Sequence, residues 1–238
     1  MSCDNCHIDG GTRPYGNSFS LVASAYPHLS ARSGTMESIE SRINDCFERS
    51  LNGKALDSTS REMRAIVAYM NWVATGVSEK IPSAYARTEA LPYLNRPADP
   101  ARGKAVFIAT CQSCHGENGE GKLDSTGVAY VYPPLWGAHS YNIGAGLYQI
   151  SKFAGYVKNN MPYGVTYQRP QLSNEEAWDV AAFVNSQPHP SMDLSTDWPT
   201  VSSKPADYPF GPYGDDYSEV QHKYGPFGPI VRAQERQH

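Results

Sequence analysis

The pentapeptides CDNCH at residues 3–7 and CQSCH at residues 111–115 decide the fold of this chain. Each places two cysteines three positions apart, directly before a histidine, which is the pattern for covalent attachment of c-type haem. The two thiols reach the two vinyl groups of one porphyrin, and the histidine lies under the iron as its proximal ligand. Two matches in one chain favour haem attachment over a zinc site or a redox pair. The sequence therefore predicts two covalently bound haem c groups. The expected haem-binding residues are Cys3, Cys6, His7, Cys111, Cys114 and His115.

Length and composition favour two small domains. The chain has 238 residues, 40% of them hydrophobic, and the two haem motifs lie 108 residues apart. Each half is long enough for a small cytochrome, and each porphyrin adds a large apolar surface to the core. The net charge of −4 gives no support for nucleic-acid binding, which shows as a clustered basic excess. Because no run approaches the roughly 18 apolar residues of a membrane span, we expect none.

The second half follows the plan of a small cytochrome c domain from end to end. Residues 100–110 predict a helix that leads into the second haem motif, and residues 144–158 predict an amphipathic helix that ends before Met161. Ser173 and Glu176 form a capping box that opens a final helix, which is expected to end near Ser186.

The first half repeats this plan without its first helix. A helix is predicted over residues 35–50, with Met36 on its apolar face, and a closing helix over residues 60–76. No helix precedes Cys3, although in the complete plan that helix packs against the closing one. We therefore expect a truncated or processed N-terminus.

The predicted fold class is mainly α, with two class I cytochrome c-like domains that each hold one haem. The first domain is expected over residues 1–80 and the second over residues 100–187. A proline-rich, extended linker over residues 81–99 joins them. Residues 188–238 are rich in proline, glycine and tyrosine and predict an irregular C-terminal arm on the surface, or alternatively a docking segment for a partner.

The sixth ligand of the second haem is expected just after the second predicted helix of that domain. Met161 stands there, followed by proline, in a context typical of a thioether ligand. Methionine ligation raises the haem potential, which suits an electron-exit site. The alternatives are Lys158, one turn earlier, and His139 in a glycine-rich loop, whereas Asn160 has no useful donor for iron.

The candidate sixth ligand of the first haem is Cys46. The chain has five cysteines, of which the haem motifs use four, so Cys46 is left alone. It falls near the end of a helix and before the closing helix, much as Met161 does in the second half. The open alternatives are that Cys46 is a small buried apolar residue, or that His28, Met36 or Met63 is the ligand.

A cysteine ligand gives the first haem a different task from the second. Thiolate donation lowers the haem potential, which predicts a haem for chemistry at Cys46 and a haem for electron transfer at Met161. Basic residues surround Cys46 in the sequence. They are Arg32, Arg42, Arg49 and Lys54. Arg42 lies one helical turn before Cys46 and Arg32 lies just before the helix, so this pair predicts an anion clamp rather than two solvated surface charges.

Five stretches carry a family resemblance that runs from residue 3 to about residue 187. They are RINDCFERSLNG at residues 42–53, YMNW at 69–72, PPLWG at 133–137, GAG at 144–146 and EEAWDVA at 175–181. Together they resemble the dihaem thiosulfate dehydrogenases, which are also able to reduce tetrathionate. The resemblance implies an enzyme that joins two thiosulfates into tetrathionate and releases two electrons, or that runs the reverse reaction.

The resemblance also implies roles for individual residues. The family's active-site haem has histidine and cysteine ligands, matched here by His7 and Cys46, and its anion-binding arginines match Arg32 and Arg42. Ser50 occupies a position that lines the same site. Some members carry lysine immediately before the second-haem methionine and exchange ligands on reduction. Because this chain has Asn160 there, we expect Met161 to serve in both redox states.

Location and partners follow from the haem chemistry. Haem is attached to such motifs outside the bacterial inner membrane, so we expect a periplasmic protein whose leader has been removed or precedes this chain. A separate cytochrome c is the expected electron acceptor or donor. The alternative functions are a non-catalytic dihaem electron carrier and a sulfur-compound carrier that uses a haem-bound cysteine. A dihaem peroxidase is disfavoured because Cys46 would close the iron.

Overall fold

The protein is described here from a computed structural model that covers residues 1–77 and 85–236, so residues 81–84 of the predicted linker lie outside the described part. With 44% helix and 5% strand, the chain is mainly α, as predicted. The longer helices are α1 Ile39–Asp45, α2 Arg61–Val77, α3 Pro100–Thr110, α4 Ile150–Asn160, α5 Asn174–Ser186, α6 Glu219–Tyr224 and α7 Gly228–Glu235.

Shorter pieces connect these helices. Single helical turns lie at Val22–Ala25 and Gln112–His115, and Ile8–Gly11 is a turn in which Asp9 and Gly10 have positive φ. There are 3₁₀ turns at Cys3–Asn5, Phe19–Leu21, Gly146–Tyr148 and Val201–Ser203, and a π-helix at Cys46–Ser50. Two small antiparallel hairpins pair β1 His28–Leu29 with β2 Met36–Glu37 and β3 Lys122–Leu123 with β4 Tyr130–Tyr132.

Helices α3 and α5 cross at the centre of the second half. Gly103 permits this close approach, since a side chain there would overlap the backbone of Asp179 on α5. Phe107 fills the space beside the crossing, with its ring 5.0 Å from Trp136 and 5.4 Å from Phe183. The predicted helices over residues 100–110 and after Ser173 are confirmed, including the capping box of α5.

Helix α4 begins later than the sequence pattern indicates. The predicted helix spans residues 144–158, but Gln149 has an extended backbone and α4 begins at Ile150. Asp207, from the C-terminal arm, accepts hydrogen bonds from the Ser151 amide at 3.0 Å and from the Gln149 side chain at 2.6 Å. The start of this helix therefore depends on a tertiary contact that periodicity does not encode.

The first half forms a smaller core around α1 and α2. The predicted start at residue 35 is wrong, because Met36 lies in β2 with 63% of its surface exposed. Ser38 caps α1 instead, accepting a hydrogen bond from the Ser41 amide at 3.2 Å. The closing helix is confirmed as α2, whose first turn donates the Met63 amide to the Ser60 hydroxyl at 3.1 Å.

The C-terminal arm is more ordered than its composition predicts. It contains α6 and α7, and the buried side chains of Phe227 and Ile230 pack into the same core as Trp178. His222 is fully buried, and its ring stacks on the ring of Tyr213 with the centroids 3.7 Å apart. Its two ring nitrogens form hydrogen bonds with a backbone carbonyl and with a carboxylate. The prediction of an irregular surface arm is therefore wrong for residues 219–235, because this segment forms helices and buries apolar side chains in the core.

Residues 85–99 contact both halves and contain bends at residues 86–87 and 95–96. The Tyr85 carbonyl accepts from the Tyr15 amide at 2.6 Å in the first half. The Pro92 carbonyl accepts from the Trp178 indole at 3.1 Å in the second half. Among the residues described, none belongs to a helix that is both long and apolar enough to cross a membrane.

Candidate functional site

The first haem motif forms one compact turn. Ser2 and Asn5 close a capping box around the 3₁₀ turn Cys3–Asn5, and the His7 amide donates to the Cys3 carbonyl at 2.8 Å. This winding brings Cys3, Cys6 and His7 into one local cluster. Neither Cys3 nor Cys6 is in a disulfide bond.

His7 is oriented by its own backbone surroundings. Its Nδ1 lies 2.6 Å from the carbonyl oxygen of Asn17, and its ring packs 4.4 Å from the ring of Phe19. Burial lowers the pKa of His7, which favours the neutral imidazole. A neutral ring that donates from Nδ1 presents Nε2 as a lone-pair donor, the form in which histidine binds metals.

The second haem motif repeats this arrangement on the turn Gln112–His115. The His115 amide donates to the Cys111 carbonyl at 3.0 Å, and Nδ1 lies 2.8 Å from the Pro133 carbonyl oxygen. Burial lowers the pKa of His115 as well. Neither Cys111 nor Cys114 is in a disulfide bond. Both motifs therefore fit a covalently attached haem c, with two thiols for the porphyrin and an oriented neutral imidazole for the iron.

Met161 lies where the sequence predicts the sixth ligand of the second haem. It directly follows α4, donates its amide to the Val157 carbonyl at 2.9 Å and packs against the core of the second half. The preceding Asn160 is completely buried, and its amide nitrogen donates to the Tyr15 carbonyl at 3.1 Å. Asn160 thus links α4 to the first half.

The alternative ligands of the second haem have other surroundings. The ammonium of Lys158 donates to the side-chain oxygen of Asn174. His139 is exposed in its loop. Ligation by Met161 stays a prediction, and these positions favour it.

Cys46 lies beside the first haem motif. It is the first residue of the π-helix Cys46–Ser50, whose wider turn joins the Leu51 amide to the Cys46 carbonyl at 2.9 Å. Cys46 lies close enough to interact electrostatically with both Cys6 and Cys3. The structure therefore brings the fifth cysteine to the haem-binding pair.

The other candidate ligands of the first haem occupy different environments. His28 faces Glu37 across the small hairpin at 3.5 Å. Met36 is largely exposed, and Met63 is fully buried in the apolar core. These contacts favour Cys46, whose ligation remains a prediction.

Asp45, next to Cys46, holds three arginines together. Its Oδ2 lies 2.6 Å from Nη1 of Arg42 and 3.4 Å from Nη2 of Arg32, and its Oδ1 lies 2.5 Å from Nε of Arg49. Burial alone would lower the pKa of Arg42, but electrostatic interaction with Cys46 and Asp45 raises it. The predicted pair Arg32 and Arg42 is thus brought together at Cys46, and Asp45 is the anchor that sequence reasoning missed.

Arg49 joins this cluster to the second half. Its guanidinium donates to both carboxylate oxygens of Asp197 at 2.8 Å, and its carbonyl accepts from the Asn142 amide at 3.0 Å. The Gly144 carbonyl oxygen accepts from Arg32 at 3.3 Å and from Arg49 at 3.4 Å. Both halves of the chain and the arm therefore build the surroundings of Cys46.

Lys152 adds a further cation that the sequence analysis did not single out. It lines a recess together with Arg32, Trp198 and Tyr208. The surrounding protein lowers the pKa of Lys152, and the charges of Arg32 and Arg42 lower it further. The only sequence signal was its place on the helix before Met161.

Ser50 ends the π-helix that Cys46 begins, and it is half-buried there. Lys54, the fourth basic residue near Cys46 in the sequence, is exposed. In the described structure, Arg49 therefore belongs to the cluster and Lys54 does not.

Comparison with known proteins finds a matching cytochrome c family for each half of the chain. The family model described as cytochrome c matches residues 100–188, and that of the SoxA/TsdA cytochrome c domain matches residues 1–78. These matches agree with the two predicted haem motifs, one in each matched region.

Curated relatives extend the likeness over most of the chain. The thiosulfate dehydrogenase of Allochromatium vinosum is 41% identical over 80% of this chain and 70% of its own length. Those of Psychrobacter arcticus and Stutzerimonas stutzeri are 38% and 33% identical over 84% and 80% of this chain, which spans 60% of each of those relatives.

A solved structure gives the same result. The as-isolated form of the thiosulfate dehydrogenase TsdBA from Marichromatium purpuratum superposes with a TM-score of 0.66 and 32% identity, over 78% of this chain and 40% of that one. This chain belongs to the thiosulfate dehydrogenase family, contains two cytochrome c domains and carries two covalently bound haem c groups.

Proposed function

We propose that this protein joins two thiosulfates into tetrathionate with release of two electrons, or catalyses the reverse reduction. The observation that carries the proposal is the cluster of Arg32, Arg42 and Arg49 around Asp45, directly beside Cys46 and the first haem motif. The names of the relatives support the same reaction.

The cationic cluster answers the main electrostatic difficulty of this reaction. Two thiosulfate dianions repel each other, and a single pair of unit charges at 4 Å already costs about 1 kcal/mol in water and several times more in a drier cleft. Asp45 and Gly144 occupy only some of the N–H donors of Arg32 and Arg42. Their remaining donors are available for sulfonate oxygens, which guanidinium groups bind in a bidentate manner. Ser50 lines the same site in this proposal.

Cys46 supplies the reacting sulfur in our proposal. Its thiolate forms a bond with the outer sulfur of one thiosulfate, and two electrons leave as this cysteine S-thiosulfonate forms. A second thiosulfate then attacks the outer sulfur of the adduct, so that the new bond forms tetrathionate while the Cys46 thiolate departs. The second step is ordinary thiol–disulfide exchange and needs no further oxidant.

The two electrons require acceptors within the protein. Each haem c, when bound, accepts one electron, so the pair can hold both from one turnover. His7 and Cys46 would hold the first haem, with thiolate donation favouring a low potential. His115 and Met161 would hold the second, whose thioether ligand favours a higher potential and electron exit. We further propose a periplasmic location and a separate cytochrome c as partner.

The decisive experiment is turnover of the haem-loaded protein with thiosulfate and ferricyanide, with tetrathionate measured as the product. Cys46→Gly is the test variant, and Cys46→Ser is its closer isostere. We expect both variants to lose turnover while both haems remain attached, because the four other cysteines are untouched.

Two results would contradict the proposal. Absence of turnover in the intact protein, with thiosulfate or with tetrathionate and a reductant, would favour the non-catalytic electron carrier. Full turnover in Cys46→Gly would remove this cysteine from the chemistry. For the covalent step alone, mass spectrometry of the protein quenched during turnover is expected to find a thiosulfate adduct on Cys46.

A further inference from the structure

A segment of the C-terminal arm closes over the arginine cluster. The Trp198 amide donates to the Arg32 carbonyl at 2.6 Å, and Pro199 packs so closely on Gly34 that a side chain there would lie 2.7 Å from its ring. Asp197 directly precedes Trp198 and pairs with Arg49 of the cluster, and its side chain is only 5% exposed. The arm therefore delivers a buried carboxylate to a site built mainly by the first half.

Asp197 fixes the orientation of the Arg49 guanidinium. Both carboxylate oxygens of Asp197 accept from the terminal nitrogens of Arg49 at 2.8 Å, and the hydroxyl of Tyr208 donates to Oδ2 at 3.2 Å. A two-pronged pair of this kind fixes the plane of a guanidinium. Only Nε of Arg49 is then directed at Asp45, where it meets Oδ1.

The second oxygen of Asp45 is consequently left for the substrate-binding arginines. Its Oδ2 accepts from Arg42 at 2.6 Å and lies 3.4 Å from Arg32. An Arg49 released from Asp197 has five donors to direct at Asp45 and can pair with both of its oxygens. Such a pairing would compete directly with Arg32 and Arg42 for their anchor.

We propose that Asp197 is a positioning residue for the binding of the thiosulfate dianion, acting through Arg49 and Asp45. This inference rests on the proposed function for its natural substrate. It assigns to the C-terminal arm, which lies beyond the two cytochrome c regions, a direct part in preparing the anion site.

Positioning and simple charge make opposite predictions for the same variant. Asp197→Asn removes one negative charge from the surroundings of an anion site, so Coulomb's law alone predicts tighter binding. If Asp197 positions the arginines, the same change weakens binding, because Arg49 is freed and takes over Asp45. The sign of the effect therefore decides between the two explanations.

The test compares haem-loaded full-length protein with Asp197→Asn and Asp197→Glu, and with Asp216→Asn as a charge-matched control. Asp216 is exposed on the same arm. Five quantities are measured: KM and kcat for thiosulfate with ferricyanide, the Kd of sodium sulfate by calorimetry at constant ionic strength, the haem content and the melting temperature. Sulfate is a redox-inert tetrahedral dianion, so its binding does not depend on turnover.

We expect Asp197→Asn to raise KM and the sulfate Kd by about tenfold, the effect of losing one charge-assisted hydrogen-bonded contact. The kcat at saturation and the haem content should stay close to wild type, Asp197→Glu should recover part of the affinity, and Asp216→Asn should change neither constant.

The remaining outcomes are distinct. An unchanged or lowered KM and Kd in Asp197→Asn overturns the proposal. Parallel loss of kcat, haem and thermal stability in both the Asn and Glu variants also overturns it, since the role would then be structural. If wild type shows no turnover but Asp197→Asn still weakens sulfate binding, the proposed reaction fails and the positioning role of Asp197 stands.

Discussion

At the scale of single residues, Asp45 is the part of the site on which the most contacts depend. One carboxylate with 19% of its side chain exposed faces three guanidinium groups whose side chains are 12 to 33% exposed. Partly buried cations need partners, because removing water from a charge without compensation is costly. Asp45 therefore compensates the charges of its neighbours and holds them in place beside Cys46.

We predict that Asp45→Asn weakens both substrate binding and the fold. Loss of one partner from a fully buried pair costs about 3 to 5 kcal/mol, and partial exposure here reduces the expectation to about 2 kcal/mol in the free energy of unfolding. KM for thiosulfate should rise by at least about tenfold, because Arg32 and Arg42 lose their common anchor. Urea unfolding and steady-state kinetics measure the two effects.

Glu48→Gln is the matched control, since Glu48 lies in the π-helix that directly follows Asp45 and is exposed. It removes an equal charge three residues away without touching the arginines. A KM in Asp45→Asn equal to that of Glu48→Gln would show that charge alone, and not the geometry around Asp45, sets affinity.

The residue scale also marks where sequence reasoning reached its limit. Arg32 and Arg42 could be assigned from their spacing around Cys46 and from the family resemblance. Asp45 stands next to Cys46, yet nothing in the sequence distinguishes it from a solvated helix-end carboxylate. Asp197 lies 148 positions from Arg49 in the chain, so no local pattern can pair the two.

At the scale of elements, local chemistry sets some boundaries and tertiary contacts set others. The capping box predicted at the start of α5 is present, with the Ser173 hydroxyl accepting from the Glu176 amide at 3.2 Å and the Glu176 carboxylate accepting from the Ser173 amide at 2.9 Å. Ser173 and Glu176 are three positions apart, so the local sequence contains the whole interaction. The start of α4 instead depends on Asp207 from a distant segment, and periodicity placed it too early.

We predict that the capping box gives α5 a pH-dependent stability. Hydrogen bonds from the backbone and side chain of Ser173 lower the pKa of Glu176. Because the folded carboxylate holds its proton less tightly than the unfolded one, its contribution is complete above the unfolded pKa of about 4.3 and is lost as the pH falls through the lower folded value. Wild type and Glu176→Gln should therefore differ in unfolding free energy at about pH 6 and converge towards about pH 3.

Ser173→Ala should cost about 1 kcal/mol at neutral pH, the usual effect of losing an N-cap. Guanidinium unfolding as a function of pH measures both variants, with Glu235→Gln on the exposed end of α7 as the control. A constant difference between wild type and Glu176→Gln over the whole pH range would remove the carboxylate from the explanation.

At the scale of the whole molecule, the active-site candidate lies where three parts of the chain meet. The first half contributes Cys46 and the arginines, the arm contributes Asp197, and the second half contributes the Gly144 carbonyl, which accepts from both Arg32 and Arg49. The two haem motifs predict two domains, but they carry no information about how the domains face each other. Only the folded chain places the GAG stretch of the second half against the π-helix of the first.

We predict that Gly144→Ala damages the site while Gly146→Ala, two positions away in the same stretch, does not. A methyl group on Gly144 would lie 2.8 Å from Nη1 of Arg49 and 2.9 Å from the sulfur of Met192, so either the guanidinium or the arm must move. A methyl group on Gly146 would meet no atom of the described residues within 4 Å, apart from its chain neighbours and the backbone of its own helical turn. Overpacking of this kind typically costs about 1 to 3 kcal/mol, and here it falls on the residue that pairs with both Asp45 and Asp197.

The expected result is a raised KM for thiosulfate in Gly144→Ala, with KM for Gly146→Ala at the wild-type value and both haems attached in each variant. Steady-state kinetics with ferricyanide and a haem assay measure these quantities. Since the added methyl group is identical in the two variants, a difference between them reports the contact with Arg49 and the arm. Equal KM values would mean that Arg49 can shift without affecting substrate binding, so the meeting of the three parts would hold the molecule together without preparing its anion site.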